Sequence, residues 1–584
     1  MQMARFGHLW RGAALTAGLA LGACQATTAA PPTKLAVNVR VPVTQEENPL
    51  ASGVVQFYAL IADYPGIAAP LNTGAQPYAA QAQVSLPQMP YGPARQIRVE
   101  MYPASPDGAP MSAIARGTSV PVDIFSTSAP VQVYPYVTKI NNFAGIFGEP
   151  DLSKTELPGP HVAGASVALP SGNVLFAGGA VPLQKQKLPY EPASYGSFQQ
   201  TVGVYNPDSR AFAATDDPAG QLAVGRAFHT MALGQTVVAI VGGVEMDAAN
   251  KPRASNKVEF YNLATHEVTS VFQPDDSDPP VQKLQTLKFG RIAPTVVQMF
   301  EHQDYFLILG GKGNEDCPAN PRDGLCGGNT WEIWHPATGR QAIGQLSKAR
   351  WHHAGVRVPG PAGGFVMLVG GENTQGPVTT MEVVQFLIAN SSVLVSDSLT
   401  NCPAECPTSP EGFLWNPAAY NDQPVRIWPS ALFVANVNFA QPYYHVYVVG
   451  GFAKADHSVA NKTVDIFDIM QSKFLPATQM AQGRAAPIVA AVTSGPSAGQ
   501  VLIAGGSSTD VNHWNNGEFL HVEISDKGAL VPTLSPIENP MADGDRALGA
   551  AVGLTTGHVL VLGGTGGTAA GLTPRTDALL WNPY

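Results

Sequence analysis

Apolar and polar residues alternate along most of this chain in short runs set between turn residues, and no long stretch repeats at helical spacing, so the pattern predicts strands. Seven of the apolar runs end in the same way: Ala177-Gly178-Gly179, Val241-Gly242-Gly243, Leu309-Gly310-Gly311, Val369-Gly370-Gly371, Val449-Gly450-Gly451, Ala504-Gly505-Gly506 and Leu562-Gly563-Gly564. Successive doublets are 64, 68, 60, 80, 55 and 58 residues apart. Two glycines in a row let a strand end bend sharply and let another backbone come close. Seven copies at a loose but recurring period predict a repeat architecture.

Each doublet has the same neighbours in sequence. Upstream, Arg226, Arg291, Arg350, Arg426, Arg484 and Arg546 are followed three residues later by His229, Pro294, His353, Pro429, Pro487 and Gly549. The first unit has Pro160 at the equivalent place. Between arginine and doublet lie small or apolar residues broken once by a polar turn, which reads as two strands in a hairpin. Downstream comes a third strand with an acid near its start and an aromatic near its end, as in Val258-Glu259-Phe260-Tyr261 and Trp331-Glu332-Ile333-Trp334. A fourth strand fills the remaining gap. Such a four-stranded unit cannot bury both faces alone, and radial stacking of seven of them makes a β-propeller. The last unit ends within its third strand, so a strand from residues 135–158 is expected to complete it and close the ring.

The order arginine, apolar-Gly-Gly, acid-apolar-aromatic resembles the kelch repeat, over residues 139–584. The resemblance implies an all-β fold with a seven-bladed kelch-type β-propeller, whose second-to-third strand loops share one face. It also brings into view the galactose-oxidase-like copper radical enzymes, which are similar in fold and use tyrosine and histidine ligands with a tyrosine–cysteine cross-link. Tyr443-Tyr444-His445 superficially resembles their Tyr-His pair, but it falls in a second strand, and all four later cysteines sit in close pairs.

The arginine series admits two readings: a positive ring for an anionic ligand, or internal ties to the third-strand acids Glu259, Glu332, Glu382, Asp465 and Glu523. Recurrence of both partners together favours the ties, because buried charges are usually paired. Gly495-Pro496-Ser497-Ala498-Gly499 matches a hydrolase elbow but lies in a hairpin turn, without the strand and helix that elbow needs. His352 and His353 are neighbours on a strand and would point to opposite faces, which is poor geometry for one metal ion. No catalytic residue, metal site or cofactor is assigned.

Ahead of the repeats, residues 34–138 alternate as small strands at 35–41, 54–61, 82–86, 95–101 and 130–136, and predict a β-sandwich. Residues 1–23 carry Arg5 and Arg11, a short apolar stretch and then Leu21-Gly22-Ala23-Cys24. That ending resembles a bacterial lipoprotein signal, which implies lipidation of Cys24 and, with Gln25 next, transfer to the outer membrane. Residues 24–33 would be the tether. Cys317 with Cys326 and Cys402 with Cys406 suggest two local disulfides in an oxidising compartment, a four-thiolate zinc site being the competing arrangement. A net charge of −10 without a Lys/Arg-rich run disfavours nucleic acid.

The long second-to-third strand loops carry Lys251, Arg253, Asp316, Arg322, Lys454, His457, His513 and Trp514, the candidate ligand-binding residues. The reading is therefore a lipid-anchored, monomeric, non-catalytic module that binds a protein or glycan. The alternative is a secreted carbohydrate-active enzyme of galactose-oxidase-like type.

Overall fold

The computed structural model describes residues 35–583, apart from 79–90, 126–130, 150–152, 184–188, 275–280, 318–323, 361–362, 390–391, 397–422, 437–440, 510–511, 542–543, 569–570 and positions 68, 106, 216, 316 and 472. The fold is all-β, and its core is a seven-bladed propeller. Blade 2 shows the pattern: Thr230–Leu233, Val237–Val241, Val258–Asn262 and Val268–Ser270 pair in chain order into one antiparallel sheet. In blade 7, Ala550–Gly553, Val559–Leu562 and Ala578–Asn582 come from the chain end, and Asn142–Gly145 supplies the outer strand. Asn142 opposes Asn582 and Gly145 opposes Leu579, so the ring closes within the expected segment. Outer strands in blades 5 and 6 carry Pro476, Pro532 and Pro536, which cannot donate to a further strand.

Seven apolar clusters, one between each pair of neighbouring blades, hold the disc together. Between blades 2 and 3, for example, Ala239, Val241 and Phe260 pack on Phe306, Ile308 and Trp334. Burying such side chains stabilises by roughly 1.5–3 kcal/mol each.

The doublets act between blades. In every one the second glycine donates its N–H to a carbonyl of the next blade: Gly179 to Arg226, Gly243 to Arg291, Gly311 to Arg350, Gly371 to Arg426, Gly451 to Arg484, Gly506 to Arg546 and Gly564 to His161, at 2.7–3.1 Å. At Gly450 the backbone is left-handed (φ +62°) and an added Cβ would lie 2.0 Å from the Arg484 carbonyl oxygen. Close approach of that carbonyl is the reason a side chain is excluded. A second ring sits nearer the axis. Ala163, Phe228, Ala293, His352, Trp428, Ala486 and Leu548, one per blade, all have φ between +40° and +56°. Five of these residues donate to the preceding blade, as in Phe228 N–H to Ala163 O at 2.7 Å and Trp428 N–H to His352 O at 2.8 Å.

The leading segment is a seven-stranded sheet built around Val55–Asp63, Gly92–Pro103 and Ala115–Thr118, with Leu35–Val37 and Val131–Val133 forming a separate parallel pair. Val37 of that pair packs with Val55, Leu60, Val99 and Met101 of the sheet. The expected strand at 82–86 lies outside the described residues. Among the described residues no helix is long and apolar enough to cross a membrane.

Candidate functional site

The arginines do not face a ligand. Arg226, Arg291, Arg350, Arg426, Arg484 and Arg546 are all buried, and each donates Nη1–H to the carbonyl of the first glycine of its own doublet. Each also pairs with an acid on the third strand or, in blade 7, directly before it. Arg291 meets Glu332 at 3.0 Å, Arg350 meets Glu382 at 3.2 Å and Arg426 meets Asp465 at 2.6 Å. Arg226 pairs with Glu259 and Arg546 with Asp577. In blade 6 the expectation of Glu523 is corrected: Arg484 pairs with Glu518 at 3.5 Å, while Glu523 bonds His521 at the far end of Gly517–Ile524. The strand is longer than in its neighbours, and only the acid beside the doublet can reach the arginine.

Blade 1 corrects a second expectation. The arginine's place belongs to His161 rather than Pro160, since Ala163 holds the left-handed position two residues on and Gly564 binds the His161 carbonyl. His161 Nδ1 meets the Gly178 carbonyl at 3.0 Å, replacing the arginine's bond. Burial drops the His161 pKa to about 4, so the ring is neutral. Gly203 stands where blades 2 to 6 have the acid.

On the doublet face, near the axis, one apolar cluster joins Ala163, Phe228, Ile292, Phe452, Ala485 and Leu548 with Tyr190 and Tyr195 from the blade-1 loop. These residues come from every blade except the fourth. Blade 4 contributes polar groups instead. His352 stacks on Trp428 at 4.3 Å between ring centres and contacts Glu372 through Nδ1 at 2.9 Å. Burial holds His352 below its usual pKa, opposed by Glu372 and reinforced by Lys312 and His457. Burial alone would raise Glu372, but the His352 bond and the positive charge of His352, His457 and Lys312 bring its carboxyl below the usual range. The His352 imidazole and the Glu372 carboxylate are therefore bonded to each other, with the exposed Lys312 ammonium close by. Lys312 and Glu372 both directly follow a doublet, on adjacent blades, whereas that position holds Ala180, Val244, Phe452, Ser507 or Thr565 elsewhere. The arrangement can donate to and accept from a polar ligand at the mouth.

Among the described residues proposed from sequence, only His457 reaches this mouth, stacked on Phe452 at 4.5 Å. Arg253 is half exposed and pairs with Glu245 at 2.6 Å, and Trp514 donates Nε1–H to Gly483 O at 2.8 Å. Lys251 and Lys454 are exposed on separate loops, His513 is half-buried on another, and Asp316 and Arg322 lie outside the described residues. Cys317 and Cys326 form a disulfide in the blade-3 loop. Cys24, Cys402 and Cys406 lie outside the described residues. The sequence signal for the mouth was positional: it is lined by the residue two after each arginine and the residue just after each doublet.

The leading segment packs on the other face at blades 6 and 7. Gln96 donates to Thr555 O at 2.9 Å, Arg116 to Ser497 at 3.4 Å, and Thr138 bonds His558 at 3.3 Å. These partners lie in the turns between first and second strands of blades 6 and 7. Tyr443, His445 and Tyr447 are buried in the second strand of blade 5, with His445 Nδ1 3.0 Å from the Tyr447 hydroxyl, and are not part of the mouth.

No protein-family model matches the chain, and no curated protein matches it. Among solved structures, one titled "Structure of YjhT" is similar at 13% identity, with a TM-score of 0.38, covering 65% of this chain and 98% of that chain. A likeness at this level carries no argument.

Proposed function

We propose that this chain is a lipid-anchored protein of the bacterial outer membrane whose kelch-like propeller, carried on a sandwich-like leading domain, binds a protein or glycan at the doublet face without chemistry of its own. The observation that carries the reading is the contrast between the faces. The leading segment packs on one at blades 6 and 7, and the other carries the exposed Lys312 and the partly exposed Glu372 beside the buried His352 and a buried aromatic cluster. All six arginines are used up in internal ties, which leaves the mouth rather than a ring of arginines to make contacts. Screening the purified protein on a glycan array and against envelope extracts tests the reading. Binding that Glu372→Gln and Lys312→Ala abolish is expected; binding indifferent to both overturns it. Metabolic palmitate labelling that Cys24→Ser does not remove would overturn the anchor.

The second reading, a carbohydrate-active enzyme, is favoured by one observation, the hydrogen-bonded imidazole–carboxylate pair at the mouth. The copper radical form is not favoured, because Tyr443 and His445 are packed inside blade 5 and Cys317 is bonded to Cys326. Turnover of a sugar by the purified protein, lost in His352→Gln, would replace the first reading with this one.

A further inference from the structure

We propose that the axial mouth contains a ring-recognition site which the chain's own Tyr190 fills, and that its external ligand is a molecule presenting a six-membered ring with a hydroxyl at the far edge. The proposal deepens the reading of the doublet face as a binding surface and rests on it. Tyr190 belongs to the loop that follows the blade-1 doublet, yet its side chain crosses the axis to blades 5 and 6. Its ring meets Phe452 edge-on at 5.3 Å and Trp428 at a tilt at 5.4 Å, with His457 at 6.2 Å. Its hydroxyl bonds Ser507 Oγ at 2.7 Å and lies 3.4 Å from the Ala485 carbonyl.

Three features make this a site and not only a filled core. Between blades 2 and 3 the apolar filling comes mostly from the strands of those two blades, whereas here a loop residue is inserted from across the disc. Three of the seven left-handed positions around the axis are alanine, Ala163, Ala293 and Ala486, and these small side chains pack in the cluster that takes up the Tyr190 ring. The walls are specific: aromatic rings at separations suited to edge-on and offset contact, and a hydroxyl partner where the inserted ring ends. Phenols and pyranose sugars both carry a hydroxylated ring, so the shared chemistry is assigned and the test separates them. While Tyr190 occupies the site, an outside ligand binds only the fraction of molecules in which it has withdrawn, and its apparent affinity falls by that fraction.

The test titrates full-length wild type, Tyr190→Phe and Tyr190→Gly with 4-methylphenol, toluene and methyl pyranosides by calorimetry. Tyr190→Gly is expected to bind 4-methylphenol or a pyranoside at least tenfold more tightly than wild type or Tyr190→Phe, and the arm that responds names the source. Adding Ser507→Ala should abolish the preference for 4-methylphenol over toluene if the phenol arm responds. A folded Tyr190→Gly protein that binds no probe, or binds no better than wild type, overturns the proposal. If Tyr190→Gly does not fold, Tyr190→Ser is read the same way, and failure of both to fold makes Tyr190 a core residue and overturns it too. The glycan and extract screen uses the unmodified chain, so it can succeed while this test fails.

Discussion

In six blades a buried arginine bonds the doublet carbonyl and pairs with an acid, whereas in blade 1 the neutral His161 makes the carbonyl bond and Gly203 stands at the acid's position. Both halves of the charged pair are absent together. A lone buried charge is far more damaging than no charge, so a blade can keep the pair or lose it but cannot keep half. Phe176 takes up the space: a Cβ on Gly203 would lie 2.4 Å from its ring, and His161 meets that ring edge-on at 5.8 Å. The carbonyl bond is thus common to all seven blades and the ion pair is not, which separates closing the ring from balancing charge. Blade 1 also lends its loop to the mouth through Tyr190, while the blade-3 loop is held by the Cys317–Cys326 disulfide.

The sharpest way to break this comparison is to halve a pair. Arg350→Met leaves Glu382 buried without its partner and should cost about 3–5 kcal/mol in denaturant unfolding. Adding Glu382→Leu should recover most of the loss, and a double variant no better than the single one would show that the arginine acts through its carbonyl bond alone. In blade 1, His161→Arg should be similarly damaging, and Gly203→Glu should fail to rescue it until Phe176 is shortened.

Acid should destabilise the disc through its buried neutral histidines, in blade 4 as well as in blade 1. Burial lowers His161 to about 4, and burial with the nearby charges of Arg350, His352 and Arg291 lowers His353 to about 3. Their unfolded forms take up protons near pH ~6.5, so stability is full above that value and falls as pH drops toward the folded values. Each contributes a slope of about 1.4 kcal/mol per pH unit. The expected result of His161→Gln is a shallower fall between pH ~6.5 and ~4, seen in denaturation midpoints; an unchanged slope would mean that His161 is not buried neutral.

Smaller effects sharpen the contrast between loops. Replacing Cys317 and Cys326 by serine should cost about 2–3 kcal/mol by chain entropy, measured by thermal unfolding with and without reductant. A loss below about 1 kcal/mol would mean that packing holds the blade-3 loop without the bond, as it holds Tyr190. Smallest of all is Tyr205→Phe in blade 1. The Tyr205 hydroxyl is buried with no hydrogen-bond partner among the described residues, in a cavity it shares with Tyr136, Arg210 and His558. Removing it should change stability by less than about 1 kcal/mol, or raise it slightly. A larger loss would reveal a bound water bridging that hydroxyl.

Much of the propeller was legible because its signals are local and repeated. A doublet after an apolar run and an arginine before it recur seven and six times, and random placement does not do that. The doublets even point to their own cause, since only glycine tolerates a carbonyl at that distance. The choice of Glu518 over Glu523 was less legible, because two acids on one strand differ only in register against Val501–Ala504. The mouth was missed for a related reason. Phe228, His352 and Trp428 share one repeat position, but nothing local says that a left-handed backbone turns it toward the axis.

The sequence by itself determined the strand content, the number of blades and the segment that closes the ring, because each follows from short-range pattern and from counting. Only the tertiary structure decided that His161 replaces an arginine, that blade 4 supplies the polar sector of the mouth, and that Tyr190 reaches across to blades 5 and 6. Those facts depend on which residues meet after the ring has closed, from 20 positions apart for His352 and Glu372 to 317 for Tyr190 and Ser507.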